Sequence, residues 1–430
     1  MVKRLLAIAF IFFCTSIAWV ILGATILART GSVGGRLRGR VESIWGAPQV
    51  QTAPYAEYSL PVVESELVKE NGKQQTVERT RYQTYTLRPS LSDVQVDLRN
   101  EPRRKGLLWY PTYKVHFRGT YLFRNPRSDQ QRMRFCLRFP NAKAIYDDLQ
   151  FAVNGRPLVP AMEKEAACVW AETPPGQDLM LQLGYRSQGL DSWQYSFGQD
   201  VNAVQNFHLR MITNFADIDF PDNTLAPTGK QELPGGWQLD WTYQSLVSGY
   251  DIAMSMPEQL QPGDLASEIS FFAPVSLFFF FFLIFIITTL RNIDLHPMNY
   301  FFLGAAFFAF HLLLAYLADH LDIHLSFAIS SIVSVFLVVT YLRLVVGTQF
   351  AIREAALTQF LYLVLFSYAF FFKGLTGLTI TIGAILTLFV VMQMTGRIRW
   401  SEKFSALDAR RGEGGLSALP QAPANFSSNA

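Results

Sequence analysis

The sequence contains few cysteines and none in the pairs that build metal or redox sites. Its 430 residues include three, and no two stand as C-x-x-C, so we expect neither a structural zinc cluster nor a thioredoxin-type redox centre. Cys14 lies in an apolar run, which leaves Cys136 and Cys168 as a candidate disulfide. In an oxidising compartment this pair would close a loop of about 33 residues and add roughly 3–4 kcal/mol of stability. Whether the two thiols meet is left open, since sequence alone does not give their distance.

Motifs of common enzyme chemistry are also missing. H-E-x-x-H, G-x-S-x-G, S-x-x-K and the phosphate-binding G-x-x-x-x-G-K-[ST] do not occur. His116 and His208 alternate with polar neighbours, a pattern typical of solvated or hydrogen-bonded imidazoles rather than catalytic bases. We therefore predict no enzyme activity, no catalytic residue, no cofactor and no metal. An envelope hydrolase or modifying enzyme stays a third and weaker hypothesis.

Charge of one sign is not concentrated anywhere. The net charge is +3, and Lys and Arg are spread along the chain. Nucleic-acid binding requires a basic stripe or patch, so we expect no nucleic-acid partner.

Apolar sequence, in contrast, is abundant. Half of the residues are hydrophobic, 36 are phenylalanine, and the mean hydropathy is +0.17, which is too apolar for an ordinary soluble protein. Residues 5–27, led by Lys3 and Arg4, form a run long enough to cross the hydrocarbon core. It exceeds the core of a signal peptide and lacks a small-x-small cleavage site before Arg29, so an uncleaved anchor helix is predicted. Five further spanning runs follow at 271–290, 298–317, 325–346, 355–372 and 374–394, and form a bundle over 271–394.

Basic residues in the short flanks predict the orientation. Tight connections make neighbouring helices antiparallel, so six helices place both termini on one side. The loop 318–324 on the opposite side carries two aspartates and no Lys or Arg. This predicts an inner-membrane protein with residues 1–4 and a largely disordered tail, 395–430, in the cytoplasm, and with residues 28–269 in the periplasm. The basic residues that follow the first helix disagree with this orientation: Arg29, Arg36, Arg38 and Arg40.

Residues 28–269 alternate apolar and polar side chains instead of forming long apolar runs. The alternation begins at Val94, Tyr113, Met133, Leu179 and Trp237, as in half-buried antiparallel strands. Asn71-Gly72 and Asn154-Gly155 supply the positive φ of tight hairpins. The predicted fold is a large β-rich extracytoplasmic domain, as two packed sheets or two subdomains, plus an α-helical bundle with six transmembrane helices in total. Within this alternation Cys136 falls on a polar strand face, which predicts an accessible thiol.

Two polar features near the membrane allow alternative hypotheses. The loop from Asp319 to His324 has two histidines and two carboxylates, which would offer metal ligands if the helix continued, but a polar turn is favoured. The five C-terminal runs contain no Asp or Glu, whereas proton- or sodium-coupled transport commonly uses them. His311 is the titratable residue well within a run. We expect it to hydrogen-bond to serines such as Ser330, Ser331 or Ser334 on the next helix, and a proton relay is the alternative role.

Three short stretches of the sequence resemble motifs of a known family, and two of them lie at the ends of the run 298–317. Residues 295–300 are similar to the L-H-P-M-Q-Y of the CreD family of bacterial inner-membrane proteins, with Asn299 in place of Gln. Residues 317–320 resemble its L-S-E-H, with Asp in place of Glu, and residues 76–79 resemble its T-V-E-R. The family-motif candidates are Leu295, His296, Pro297, Met298, Tyr300, Asp319 and His320.

The resemblance implies a role in cell envelope integrity. The family is linked to a two-component stress response, colicin tolerance and altered β-lactam susceptibility, and it has no established catalytic residue. We therefore expect a non-enzymatic protein whose outer domain engages an envelope protein, lipid or glycan while the helices contact the bilayer. A homo-oligomer is left open. The alternative is a transporter or channel with a periplasmic accessory domain.

Overall fold

A computed structural model describes residues 2–70, 73–105, 108–141, 144–198, 202–372, 374 and 376–396. The predicted tail beyond residue 396 lies outside them. The chain divides into two compact units, one comprising residues 1–33 and 261–430, the other residues 34–260. Among the described residues, the first unit consists mainly of helices and the second mainly of strands.

Six helices among the described residues are long and apolar enough to cross a membrane, which confirms the predicted membrane architecture. They are α1 (Val2–Trp45), α2 (Pro262–Leu290), α3 (Pro297–Leu317), α4 (Ile323–Val345), α5 (Thr348–Phe371) and α6 (Thr376–Thr395). Helix α5 is irregular, because residues 351–355 and 360–365 form π-helical turns.

Helix α1 continues well past residue 27, the end that hydropathy predicts. The extension carries apolar side chains at a spacing of four, Leu37, Val41 and Trp45, and they pack with Tyr110 and Leu190. A spacing of four places side chains on one helix face. Hydropathy detects the lipid-spanning part of α1, whereas this amphipathic part is helical because it packs on protein.

Eighteen strands are present in the described residues. They are β1 (Gln49–Thr52), β2 (Tyr55–Glu70), β3 (Lys73–Leu87), β4 (Leu91–Asn100), β5 (Arg103–Lys105), β6 (Leu108–Tyr110), β7 (Thr112–Arg124), β8 (Gln131–Arg138), β9 (Tyr146–Val153), β10 (Arg156–Pro157), β11 (Ala161–Met162), β12 (Ala166–Thr173), β13 (Asp178–Leu190), β14 (Ser192–Ser196), β15 (Asn202–Thr213), β16 (Gly229–Leu233), β17 (Gly236–Ser248) and β18 (Ile252–Ser255). The alternating segments of the sequence lie within β4, β7, β8, β13 and β17.

The strands form four sheets. An eight-stranded sheet has the order β10-β9-β13-β7-β4-β15-β17-β16, a five-stranded sheet the order β11-β12-β8-β2-β3, and a three-stranded sheet the order β1-β14-β18, while β5 pairs with β6. The β4–β15 and β1–β14 pairs are parallel and the other pairs are antiparallel. Asn154 and Gly155, with φ of 48° and 76°, join β9 to β10 as predicted. The other hairpin turn, residues 71–72, lies outside the described residues.

One apolar core joins the inner faces of the larger sheets. Alternate side chains of β7 point into it, and Phe117 and Phe123 are fully buried. Phe123 meets Phe135 of β8 edge to face with ring centroids 5.3 Å apart, and Phe117 lies 6.3 Å from Trp193 of β14. The unit is thus a sandwich in which the eight-stranded sheet faces the five- and three-stranded sheets.

Cys136 and Cys168 lie directly opposite each other on β8 and β12 and are joined by a disulfide. The accessible thiol expected for Cys136 is wrong, because both cysteines are buried in a small cluster with Ala166 and the half-buried Tyr55. Alternation places Cys136 on the face away from the main core. It does not reveal that neighbouring strands cover that face too.

Candidate functional site

The family-motif residues before α3 build the start of that helix. The backbone N–H of Met298 donates a 3.2 Å hydrogen bond to Nδ1 of His296, which is the N-cap residue. Pro297 occupies the first helical position, where a missing N–H has no cost, and Leu295 is fully buried. Together these residues cap the first turn of α3 and anchor it through a buried leucine.

Helix α1 and helix α4 both contact this end of α3. Arg4 of α1 forms a 3.0 Å ion pair with Asp294. Tyr341 of α4 donates a 2.7 Å hydrogen bond to the side-chain oxygen of Asn299. Tyr300 is fully buried, with its ring edge to face against Phe281.

At the other end of α3 the motif residue Asp319 pairs with α1. Its carboxylate lies 2.7 Å from the guanidinium of Arg29, which also donates to the Ala315 carbonyl oxygen at 3.3 Å and lies 5.7 Å from the Tyr316 ring. His320, in contrast, is exposed.

The two ion pairs hold α1 against α3 at both ends. Arg4 and Arg29 are 25 positions apart, which is about 38 Å along a helix at 1.5 Å per residue. This exceeds the roughly 30 Å hydrocarbon core of a bilayer, so both pairs lie where charged groups can reach water. In the sequence these arginines indicate only orientation. Their pairing could not be predicted, because no local pattern links residues almost 300 positions apart.

The loop after α3 forms the favoured polar turn. Helix α3 stops at Leu317, and Asp322 caps α4 by accepting a 2.9 Å hydrogen bond from the His324 backbone N–H. In the described part of the chain, no group of three or more His, Cys, Asp or Glu side chains could hold a metal ion.

Polar side chains also connect the helices inside the bundle. Gln359 of α5, fully buried, donates a 2.8 Å hydrogen bond to Ser334 of α4, which donates in turn to the Ala306 carbonyl oxygen of α3 at 2.7 Å. Gln359 lies between the two π-helical turns, and Ser276 of α2 donates to the Tyr362 carbonyl oxygen within the second. A π-helical turn displaces backbone carbonyl groups from the α-helical pattern, so a hydroxyl from the next helix can satisfy one.

His311 does not make the bonds expected of it. Its Nδ1 lies 2.9 Å from the Phe307 carbonyl oxygen of its own helix, and Trp19 packs edge to face on its ring. Ser330 donates to its own helix, so the serine partners predicted for His311 are wrong. Its Nε2 is buried and has no hydrogen-bond partner among the described residues.

The outer face of the eight-stranded sheet carries charged side chains in rows across the strands. Strand register places Asp97 of β4, His116 of β7 and Arg186 of β13 side by side, with Gln95 and Arg118 in the next row. A cavity of about 490 Å³ lies over the first row and one of about 580 Å³ over the second.

The surroundings of His116 favour its neutral form. Burial lowers the pKa of His116, and the guanidinium groups of Arg118 and Arg186 lower it further, against smaller opposing effects of Asp97 and Asp148. His116 is therefore neutral near pH 7 and can donate and accept hydrogen bonds.

Farther across the same face, His208 bridges two carboxylates. Its Nδ1 lies 2.8 Å from Asp93 and its Nε2 lies 3.3 Å from Asp240. Burial alone would raise the pKa of Asp240, but hydrogen bonds from Gln238, Arg210 and His208 hold it below its usual range. As expected, His208 is hydrogen-bonded, and it engages the Asp93 carboxylate.

Comparison with known proteins identifies a family over the C-terminal part. Residues 229–401 match the model of the family described as inner membrane protein CreD, which confirms the resemblance over that region. No curated protein sequence matches the chain.

Two solved structures show slight likenesses to the chain. A putative nutrient binding protein from Legionella pneumophila has a TM-score of 0.30 at 12% identity, covering 53% of this chain and 76% of the other. An M1 zinc metallopeptidase from Deinococcus radiodurans has a TM-score of 0.27 at 14% identity, covering 39% of this chain and 42% of the other. Similarity this low supports no conclusion about the activity of this chain.

Proposed function

We propose that this chain, whose residues 229–401 match the model of the CreD family of inner-membrane proteins, supports bacterial envelope integrity or the envelope stress response without enzymatic activity. In this proposal the helices anchor the protein in the inner membrane. The β-rich domain faces the periplasm and engages another envelope component. The observation that carries the proposal is the charged sheet face with two cavities, displayed by a domain that has its own core.

The ion pairs of the basic flank support cytoplasmic termini. Arg29 is paired with Asp319, and Arg38 is paired with both Glu42 and Asp191. A compensated arginine contributes less to the tendency of basic flanks to stay in the cytoplasm. The flank that disagreed with the predicted orientation is therefore weaker evidence than its four arginines suggest.

Site-specific photocrosslinking in living cells tests the engagement of a partner. A benzoylphenylalanine replacing Gln182, on the charged sheet face, should give a discrete adduct with a protein, lipid or glycan. The matched control replaces Met162, which is 63% exposed on the five-stranded sheet. Equal labelling at both positions, or none at Gln182, would contradict the proposal.

A transporter or channel is the second candidate, favoured by the buried Gln359–Ser334 pair between two π-helical turns. Such turns occur often at functional sites. Flux measurements in liposomes should compare the parent with Gln359→Met and His311→Ala. Ser330→Ala, which removes a buried hydroxyl that bonds within its own helix, is the control. Flux lost in the first two variants and kept in the third would reverse the ranking.

A further inference from the structure

The cavity of about 580 Å³ exists because one row of the sheet lacks a side chain. Gly184 of β13 pairs with Arg118 on one side and with Gln150 on the other. A Cβ at Gly184 would stand 3.1 Å from the Phe117 carbonyl oxygen and 3.4 Å from Cγ of Arg118. The glycine therefore leaves a gap between long polar side chains.

A β-bulge next to this gap neutralises a neighbouring cation. The register of β9 against β13 shifts between Gly184 and Arg186, and Asp148 takes a left-handed φ of 51°. Asp148 then forms a 3.1 Å ion pair with Arg186. Bulges re-aim side chains and are common beside functional sites.

Arg118, in contrast, is a cation without a neighbouring carboxylate bound to it in the described residues. Its side chain is exposed and, within the described residues, forms no hydrogen bond or ion pair. Asp93, a carboxylate that lines the same cavity, is engaged by His208. The cavity thus presents one uncompensated guanidinium.

The remaining walls combine amides with apolar groups. Gln95, Gln150 and Gln182 line the cavity together with Leu149 and Pro157. Carboxamides donate to and accept from hydroxyl groups, and apolar walls can pack on the C–H faces of sugar rings. Strands β4, β7 and β13 beneath the cavity are paired on both sides, so an added peptide strand could pair only on the side formed by β9 and β10.

We propose that this cavity binds a carboxylate-bearing oligosaccharide, with Arg118 pairing to the carboxylate and the three glutamines contacting hydroxyl groups. The inference rests on the proposed function in taking the domain to face the envelope. A guanidinium pairs with a carboxylate through two parallel hydrogen bonds. One cation is too few for the multiple phosphates of a nucleic acid.

Titration calorimetry of the full-length protein in neutral-lipid nanodiscs tests the proposal, with trigalacturonic acid as probe. The acid should bind, and both Arg118→Gln and full methyl-esterification of the probe should weaken binding by about tenfold or more. Gly184→Gln, which fills the gap, should also abolish it. Arg124→Gln, six residues along the same strand and outside the cavity lining, should leave binding unchanged.

Three results would overturn the assignment: no binding, equal binding of acid and ester, or equal competition by inorganic phosphate, which would indicate an unspecific anion site. These outcomes leave the proposed function standing if photocrosslinking at Gln182 still captures another envelope partner. If neither the crosslink nor the binding is observed, both the proposed function and the proposed ligand are contradicted.

Discussion

Arg29 lies at the end of the first apolar run, where the tendency of basic residues to stay in the cytoplasm would oppose the predicted orientation. Its ion pair with Asp319 gives it a different role. Asp319, a residue of the family motif, thus acquires a physical function, since its carboxylate compensates a charge on α1. The sequence offered no sign of the pair.

The Arg29–Asp319 ion pair should contribute a measurable interaction energy to the stability of the protein. Its side chains are 39% and 29% exposed, so we expect Asp319→Ala to cost about 1 kcal/mol or less. The charge-reversed double variant Arg29→Asp with Asp319→Arg should recover most of that loss in thermal unfolding of the detergent-solubilised protein. Strictly additive effects of the two single reversals would show that the contact contributes nothing.

His116 should make the stability of the sheet domain depend on pH. Because its folded pKa is lowered, the unfolded chain binds more protons as the pH falls below the ordinary value of 6.5. The stability that the neutral form provides is present above that value and is lost as the pH falls through the lowered pKa. His116→Gln should flatten the dependence of the unfolding midpoint in this window, and an unchanged slope would contradict the assignment.

At the scale of elements, periodicity located five of the eighteen described strands, and hydropathy located the membrane helices. Both signals are local, since a pleated half-buried strand repeats every two residues and a spanning helix requires about 20 apolar ones. The amphipathic end of α1 and the two π-helical turns of α5 were missed. Their conformations depend on Tyr110, Leu190 and Ser276, which lie far away in the sequence.

The disulfide between β8 and β12 should stabilise the sheet domain. Replacing Cys136 and Cys168 by Ser together should lower the free energy of unfolding by about 3 kcal/mol, from the loop of roughly 33 residues that the bond closes. Denaturant titration followed by tryptophan fluorescence measures this. Cys14→Ser, at an exposed unpaired thiol, is the control, and a reductant that left the parent's midpoint unchanged would refute the expectation.

At the scale of the whole molecule, the orientation of the helices stays a prediction. Alkaline phosphatase fused after residue 150 or 321 should be active, and a cytoplasmic fluorescent protein should be bright after residue 294 or 405. The phosphatase fusions test the periplasmic side and the fluorescent fusions test the cytoplasmic side, as the basic flanks predict. Phosphatase activity after residue 294 would reverse the orientation and place the sheet domain in the cytoplasm.

The sequence alone was enough to predict the classes of segment, which are six spanning helices and a β-rich domain. It could do so because hydropathy and alternation are properties of neighbouring residues. Three features could be seen only in the fold: Arg4 and Arg29 hold α1 to α3, Cys136 meets Cys168, and Gly184 opens a cavity beside Arg118. Those contacts depend on which strands and helices become neighbours, and that choice is made by burying the whole core at once.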